Sequence, residues 1–497
     1  MRWATALVAR ANRLEATTPP TIVQPAGLLG ALAAGEGRRF GSVEGMTVRF
    51  VIIGGGPAGN TAASRAAGFG AEVTVIERDI IGGAAHLWDC IPSKAMIATG
   101  GALAAVRRSS EMALTPGPVG VDAVALRQRI EGISAKIEHD TRQLLESQGV
   151  RILRGNGCLV GPHQVVATTD DGPIELEADA ILLATGSRPR LPDWAEVDGH
   201  RVLSTRHAYP PREWPTHLVV IGSGVTGVEF VHMFSALGSE VTLIASRQQV
   251  LPGKDPEVAA ALEDELLSRG VNVLKGARAM GIDRHTDTLT VRCDDGRAVS
   301  GSHALMAIGS LPNSEGLGLA AAGVTVVGGY VPIDADCATN VPHVYAAGDL
   351  SGKLPLSSVA AMQGRRIAEK VMGYPSGLHR TLDYDKAATA IFTVPEIADV
   401  GLAEADAFAQ GRKVRVTKVP FSASPKALIE SHSRGFVKLV SDPATGIVLG
   451  GSVVGRHAGE LIAVVAVAVT NGLRAVDLVD SLLVHPSLAE ALAEASE

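Results

Sequence analysis

Two glycine-rich segments of the chain have the composition and spacing of turns that bind phosphate groups. Their positions are Gly54, Gly56, Pro57, Ala58 and Gly59 in the first segment, and Gly222, Ser223, Gly224, Val225, Thr226 and Gly227 in the second. In a G-x-G-x-x-G turn the first glycine makes the bend, the second lets a pyrophosphate approach, and the third packs helix against strand. The N-terminus of the helix that follows attracts the anion. Each segment follows an apolar run and precedes a helical one, so the sequence predicts two dinucleotide sites.

The residues at the end of the second strand distinguish these two sites. Glu77 places a carboxylate where it can accept hydrogen bonds from ribose hydroxyls. The equivalent position in the second segment is Ala245, and Ser246 and Arg247 follow it. An arginine beside a hydroxyl favours a 2′-phosphate, which a carboxylate would repel. We therefore expect the second site to accept NADPH in preference to NADH. The simpler interpretation of Arg247 is a solvated loop cation.

The elements around the two turns form an internal repeat. Gly54 to Glu77 and Gly222 to Ala245 both span 23 positions, and both read as strand, turn, helix and strand. Two such units predict an α/β protein with two Rossmann-like dinucleotide-binding domains. From about residue 376 strands and helices alternate without a glycine-rich turn, which predicts a C-terminal α+β domain.

The composition argues against several partners. The 497 residues carry a net charge of −7, whereas a nucleic-acid-binding protein needs a basic face. The longest apolar run, at 461–469, is far shorter than the roughly 20 residues of a membrane span. We expect that run to bury at an interface between subunits. The four cysteines are scattered and do not form a disulfide framework, which favours a reducing, cytoplasmic setting.

The first 45 residues do not fit the repeat. They contain five arginines, and Met46 stands directly before the first strand. We expect a disordered N-terminal extension over 1–45, or a start codon placed too early. A transit-like segment is the alternative.

Six segments between residues 47 and 490 resemble the ordered motifs of a known family, the flavoprotein disulfide reductases. These pyridine nucleotide-disulfide oxidoreductases include lipoamide dehydrogenase, glutathione reductase and mercuric reductase. The segments are GGAAHLWDCIPSK at 82–94, ATGS at 184–187, AIGSLPN at 307–313, VYAAGD at 344–349, FTVPEI at 392–397 and HPSLAE at 485–490. The resemblance implies FAD at the first turn, a nicotinamide cofactor at the second, and a homodimer. It divides the chain into an FAD-binding domain (46–193 and 315–375), an NAD(P)-binding domain (194–314) and a dimerisation domain (376–497).

The resemblance also implies roles for single residues. Asp349 would hydrogen-bond the flavin ribityl chain, and Lys94 would lie beside flavin N5, paired with Glu229. A buried lysine without such a partner would lose its charge or destabilise the fold. The other implied contacts are Arg78, Gly83, Ala84, Gly157, Thr185 and Gly186 for FAD, and Gly309 for the nicotinamide cofactor. His485 and Glu490 keep the spacing of the family's acid–base pair, which reaches into the site of the partner subunit.

The chain departs from the family at the redox-active segment. The disulfide reductases carry two cysteines with four residues between them, but here Ala85 stands where the first would be, and only Cys90 remains. One thiol cannot form an intrachain disulfide, so electrons would leave the flavin directly for an acceptor. A planar quinone suits this chemistry. The pattern is similar to the NAD(P)H quinone reductase branch of the family, which leads us to predict that activity.

Other interpretations stay open. A soluble NAD(P) transhydrogenase also lacks a complete dithiol, but it loses the cysteine that Cys90 represents. The remaining alternatives are a dihydrolipoamide dehydrogenase-like disulfide reductase, a reductase of metal ions or peroxide through Cys90, and a non-catalytic flavoprotein subunit. Cys90 is either a packed, inert thiol or one that tunes the flavin. His485 is either the acid that protonates the reduced acceptor or a structural remnant.

Overall fold

The computed structural model describes residues 47–115, 117–374 and 381–497. The extension predicted at 1–45 lies outside the described residues. The helices are α1 Pro57–Gly68, α2 Gly83–Leu87, α3 Cys90–Arg107, α4 Ala123–Ser147, α5 Val225–Ala236, α6 Pro256–Ser268, α7 Ser357–Val371, α8 Glu404–Ala409, α9 Pro425–Ile429, α10 Ala458–Asn471, α11 Ala475–Val479 and α12 Glu490–Glu494. The strands are β1 Arg49–Ile53, β2 Glu72–Glu77, β3 Arg151–Gly161, β4 Gln164–Thr169, β5 Gly172–Glu177, β6 Ala180–Leu183, β7 Ser187–Pro189, β8 Val202–Ser204, β9 His217–Ile221, β10 Glu240–Ala245, β11 Asn272–Lys275, β12 Ala279–Arg284, β13 Leu289–Cys293, β14 Ala298–Gly301, β15 His303–Met306, β16 Ser310–Pro312, β17 Val344–Ala346, β18 Thr389–Ile391, β19 Ile397–Gly401, β20 Arg415–Pro420, β21 Phe436–Ser441 and β22 Val448–Val454.

The first sheet holds the first glycine-rich turn. Its order is β17-β6-β1-β2-β3-β4-β5, with parallel pairing from β17 to β3 and antiparallel pairing through β4 and β5. β1 and β2 are rich in β-branched residues and almost wholly buried, as expected for strands covered on both faces. The chain leaves this sheet after β6 and returns to it as β17. α1 and α7 then pack so closely that a Cβ on Gly364 would lie 2.1 Å from the Ala58 carbonyl oxygen.

The second sheet repeats this arrangement around the second turn. Its order is β11-β10-β9-β15-β8, and all four pairings are parallel. β9 and β10 enclose the turn and α5, as β1 and β2 enclose the first turn and α1. A separate three-stranded antiparallel sheet, β12-β13-β14, follows α6. The predicted pair of Rossmann-like units is therefore confirmed.

The C-terminal part is an antiparallel sheet covered by helices. Its strands are ordered β18-β19-β22-β21-β20, and α10 packs on this sheet. Ile462, Val465, Ala468 and Val469 of α10 are buried in the chain's own core. Our expectation that the run at 461–469 forms a subunit interface was therefore wrong for these four side chains, because the sheet covers them. Val467 on the opposite face stays exposed.

Ion pairs tie the second sheet's helix α6 to the C-terminal part. The ammonium of Lys438, a residue that is only 2% exposed, lies 3.1 Å from Asp255, the N-cap of α6, and 2.8 Å from Glu404. Lys254 lies 2.8 Å from Asp399 on β19. Buried charges of this kind are tolerated only when they are paired, so these contacts hold the two parts in one orientation. None of the described helices is long and apolar enough to cross a membrane.

Candidate active site

The first glycine-rich turn joins β1 to α1 and leaves no space for a side chain at its first and last glycines. Gly54 has a φ of +109°, and a Cβ there would lie 2.3 Å from the carbonyl oxygen of Ala184. A Cβ on Gly59 would lie 2.0 Å from the oxygen of Gly54. Only glycine combines this backbone conformation with these approaches. The turn therefore brings the carboxyl end of β1, the start of α1 and the segment after β6 into direct contact.

The mouth of this turn is open and lined by backbone. A Cβ on Gly56 would meet nothing within 4 Å, and Gly56 begins α1 without any side chain capping the helix. Gly83 packs beside it, since a Cβ on Gly83 would lie 3.0 Å from the Cα of Gly56. Uncapped amides at a helix N-terminus are the standard receptor for a phosphate. These residues fit the pyrophosphate of a dinucleotide such as FAD.

Glu77 supports the turn as well as facing its mouth. Its carboxylate accepts hydrogen bonds from the backbone N–H of Gly55 (2.6 Å) and of Asp79 (2.7 Å). Burial raises the pKa of Glu77, and these two hydrogen bonds oppose that rise. Each carboxylate oxygen keeps a free lone pair that can accept a ribose hydroxyl. Arg78 beside it is paired with Asp79 at 3.2 Å.

Three of the remaining predicted FAD contacts follow the carboxyl ends of β6 and β17, and Gly157 lies on β3. Asp349 accepts a hydrogen bond from the Ser187 hydroxyl at 2.6 Å, which fixes its carboxylate. Thr185 donates its hydroxyl proton to the Asn313 carbonyl at 2.7 Å, and Gly186 follows directly. Gly157 is buried, and a Cβ there would lie 2.9 Å from the Ile53 side chain. The structure thus gives Gly157 a packing role against β1; its contact with FAD stays a prediction.

Lys94 and Glu229 meet where the three parts of the chain converge. The Lys94 ammonium lies 3.0 Å and 3.3 Å from the two carboxylate oxygens of Glu229. Glu229 is buried on α5 and also accepts the backbone N–H of Phe392 at 3.0 Å. The ammonium lies 4.8 Å from the centroid of the Phe392 ring. The predicted pair is therefore present, and the Phe392 amide, which the sequence did not indicate, fixes its carboxylate.

Cys90 begins α3, and the structure shows no thiol near it. Ala85 lies on α2, half-buried. Cys90, Cys158, Cys293 and Cys337 are all unpaired. The Cys90 sulfur instead lies 3.5 Å from the Ser357 hydroxyl at the start of α7. A dithiol cannot form at this position.

Four further side chains lie on or against the segment that leads into Cys90. Arg206 lies over the Trp88 ring, with its guanidinium carbon 4.2 Å from the ring centroid. Asp89 stands between Trp88 and Cys90, and part of its surface is exposed to solvent. Crowding by protein atoms desolvates its carboxylate and raises the pKa of Asp89 to about 6, although Arg206 and Lys94 oppose the rise. Burial lowers the pKa of the nearby His86 imidazole.

The second turn has the same construction as the first. Cβ atoms on Gly222 and Gly227 would lie 2.3 Å and 1.8 Å from the oxygens of Ala307 and Gly222, whereas one on Gly224 would meet nothing within 4 Å. Ser223 is buried, and the backbone N–H of Leu251 donates to its carbonyl. Val225 and Thr226 are exposed at the start of α5. The same uncapped, open helix start is therefore available to a second pyrophosphate.

The segment after β10 forms an open pocket. Ala245 is buried, whereas Ser246 and Arg247 are exposed. The pocket holds about 510 Å³ and is lined by Arg247, Gln248, Gln249, Pro252 and Gly253. Gly309, across from the turn, has open space on its Cβ side.

His485 and Glu490 form a hydrogen-bonded pair near the C-terminus. His485 Nδ1 lies 2.7 Å from Glu490 Oε1, and the other oxygen of Glu490 accepts the backbone N–H of Ser487 at 2.8 Å. These two bonds, that from Ser487 first, lower the pKa of Glu490. The His485 side chain is 70% exposed, and Leu482 and Val484 beside it are exposed as well. In a single chain the pair lies on an apolar surface segment.

Two family models match the chain. The model described as pyridine nucleotide-disulphide oxidoreductase matches residues 48–364. The model of the dimerisation domain of the same family matches residues 387–496.

The chain belongs to the pyridine nucleotide-disulphide oxidoreductase family. Membership confirms the resemblance and the predicted fold class, and it implies the use of FAD and of NAD(P)H.

Similar proteins cover nearly the whole length. The NAD(P)H dehydrogenase (quinone) of Mycobacterium tuberculosis is 41% identical over 464 residues, which is 91% of this chain and 94% of that protein. The dihydrolipoyl dehydrogenase of Chlamydia muridarum is 33% identical, over 90% and 95%. The crystal structure of LpdA from Mycobacterium tuberculosis superposes with a TM-score of 0.86 at 40% identity, covering 90% of this chain and 99% of that one. The HOCl-induced flavoprotein disulfide reductase RclA of Escherichia coli gives a TM-score of 0.82 at 25% identity, covering 91% and 99%.

Proposed function

We propose that this protein is a FAD-dependent NAD(P)H dehydrogenase that passes a hydride to a quinone-type acceptor without a redox disulfide. The observation that carries the proposal is the environment of Cys90, whose sulfur contacts the Ser357 hydroxyl while Ala85 occupies the other thiol position. The similarity to a protein named NAD(P)H dehydrogenase (quinone) supports the same choice.

The first turn would hold FAD, which supplies the redox chemistry when bound. Gly54, Gly56 and Gly59 leave its pyrophosphate room at the start of α1, and Glu77 accepts ribose hydroxyls. Asp349, whose carboxylate is fixed by Ser187, would hydrogen-bond the ribityl chain. Glu229 holds the Lys94 ammonium in place, so that it would be available where negative charge develops on reduction.

The second turn would hold the nicotinamide cofactor, with a preference for NADPH. Arg247 has no acidic partner within salt-bridge distance in the part of the chain that the structure describes, and it lines an open pocket. Its guanidinium is free to form charge-assisted hydrogen bonds with a 2′-phosphate. NADH lacks that group and would gain nothing from Arg247.

The active form would be a homodimer. The match to the family's dimerisation domain and the exposed apolar segment at Leu482 and Val484 support this. His485 lies in that segment, and Glu490 holds its ring. In a dimer the pair would exchange protons at the site of the second copy, because an imidazole can donate and accept near neutral pH.

Relatives named dihydrolipoyl dehydrogenase point to a second candidate, lipoamide reduction. That reaction requires a dithiol, which Ala85 removes. A transhydrogenase would use the two cofactor sites alone, with NAD⁺ as the acceptor.

A comparison of acceptors tests the proposal. The purified holoenzyme, with NADPH as donor, is given menadione, lipoamide or NAD⁺ in parallel. We expect fast menadione reduction and negligible turnover of the other two. Fast lipoamide turnover would refute the argument from Ala85, and fast NAD⁺ reduction without menadione turnover would establish the transhydrogenase.

A further inference from the structure

Asp89 occupies a helix start without performing the usual task of that position. An aspartate before the first helical residue normally accepts hydrogen bonds from the free amides of the first turn. The side chain of Asp89 caps no amide of α3, and its hydrogen bonds are made by the backbone alone: its N–H donates to the Ala84 carbonyl at 2.8 Å, and its carbonyl accepts the Ser93 hydroxyl at 2.5 Å. No described residue hydrogen-bonds or ion-pairs with the carboxylate. The group is therefore left available beside Cys90.

The charged and titratable groups around Asp89 come from three segments. Lys94 lies one turn along α3, Asp349 follows β17, and Arg206 follows β8 and stacks on Trp88. Tyr209 and Cys90 also lie within electrostatic range, and burial raises the pKa of the Tyr209 hydroxyl far above neutrality. Lys94 is already occupied by Glu229. What remains is a carboxyl group whose pKa of about 6 lets it hold a proton close to physiological pH.

The chemistry of the proposed reaction needs one such proton. Reduction of a quinone to its quinol takes up two electrons and two protons. A hydride brings both electrons and one of the protons, so one more proton must reach the second oxygen. In a dithiol enzyme the thiols could provide it, but here one thiol is replaced by Ala85.

We propose that Asp89 is the acid that delivers this second proton to the acceptor within a single subunit. The O–H bond of the carboxylic acid breaks, the proton bonds to the quinone oxygen, and the carboxylate takes a replacement proton from water. The proposal rests on the quinone reductase function proposed above. It makes Asp89 a catalytic residue in addition to the cofactor-binding groups.

The test compares D89N and D89E with D122N. Asp122 is a helix N-cap of the ordinary kind, because its carboxylate accepts the amides of Val124 and Ala125, and asparagine caps equally well. Each holoenzyme is assayed from about pH 5 to about pH 8 with menadione and with ferricyanide, which takes one electron and no proton. The absorption spectrum of the resting flavin is titrated over the same range, because a neighbouring carboxyl that ionises should perturb it.

We expect the wild type to show a spectral transition near pH 6 that D89N abolishes and that D89E and D122N keep. Menadione turnover of D89N should fall about 10²-fold near pH 6, the lower end for loss of a general acid. The difference between D89N and the wild type should shrink as the pH rises, because wild-type Asp89 then ionises. Over the same range the ratio of the menadione rate to the ferricyanide rate of the wild type should fall.

Two results would overturn the role of Asp89. One is a D89N enzyme with wild-type flavin content and an unchanged pH profile for menadione. The other is removal of the transition by H485Q instead, which would make His485 the donor. A wild-type enzyme that does not reduce menadione at any pH would refute the proposed function itself. That result can be told apart from a failure of the Asp89 role alone, in which the wild-type enzyme reduces menadione and D89N does so equally well.

Discussion

Replacing Arg247 by alanine tests the preference for NADPH most directly. The Arg247 side chain is exposed and borders an open pocket of about 510 Å³. A phosphate entering it would not have to displace a protein carboxylate, since none within the described part of the chain pairs with Arg247. Two unit charges about 4 Å apart attract by about 1 kcal/mol in water and by about 4 kcal/mol near a protein surface. The exposure of Arg247 places the expected loss near the lower value, at about 1–2 kcal/mol.

That loss corresponds to a rise in the dissociation constant of NADPH by roughly 5- to 30-fold. We expect R247A to weaken NADPH by this factor and to leave NADH within about twofold of wild type. The assay is the concentration dependence of flavin reduction in single-turnover experiments with each donor. High salt should shrink the wild-type advantage, because it screens an exposed charge pair.

The matched control is R292A, which removes the same charge from β13 of the same part of the chain, where Arg292 pairs with Asp283. It should leave the ratio of the two dissociation constants unchanged. Equal losses for NADPH and NADH in R247A would show that Arg247 does not contact the 2′-phosphate. The same conclusion would follow if R292A changed the ratio of the two dissociation constants as much as R247A does, since the change would then reflect net charge alone.

Three further substitutions probe the rest of the site. G59A should lower flavin content and destabilise the fold by about 1–3 kcal/mol, because the new methyl group would meet the Gly54 oxygen at 2.0 Å; full flavin content and an unchanged Tm would contradict this. E229Q should slow NADPH-dependent flavin reduction. Because the Lys94 side chain is about a third exposed, the free energy of unfolding should fall by only about 1 kcal/mol. An unchanged reduction rate would show that Lys94 needs no counter-charge. C90S should keep menadione reduction within about threefold of wild type, because Cys90 has no second thiol with which to carry electrons as a disulfide. Loss of turnover with full flavin content would give Cys90 a chemical role.

The two turns and the fold class could be predicted from the sequence because their determinants are local. A strand, six residues of turn and a helix form one continuous segment, and the turn requires glycine where a Cβ would strike backbone. The difference between Glu77 and Arg247 is likewise local, since each follows its own strand. The repeat of 23 positions then places both turns at the carboxyl ends of corresponding strands, β1 and β9.

The groups beside Cys90 could not be found in this way because they come from distant segments. Ser357 reaches Cys90 across 267 positions, and the Phe392 amide reaches Glu229 across 163. Arg206 belongs to no sequence motif that would predict its contact with the Trp88 ring. The interface expected at 461–469 was wrong for its four buried side chains for a related reason, since an apolar run does not show which surface will cover each of its side chains.

Ala85 changes the requirements on the groups that remain. A dithiol can hold electrons and protons together, so an enzyme that keeps it needs few other acids near the flavin. Without it, electrons can pass directly from cofactor to acceptor, but protons still need a carrier in the protein. Asp89 stands next to the retained Cys90, and its carboxylate accepts no hydrogen bond from a described residue. His485 would require a second copy of the chain. Because both carriers lie outside the glycine-rich turns, acceptor chemistry can change while Gly54 to Glu77 and Gly222 to Ala245 stay as they are.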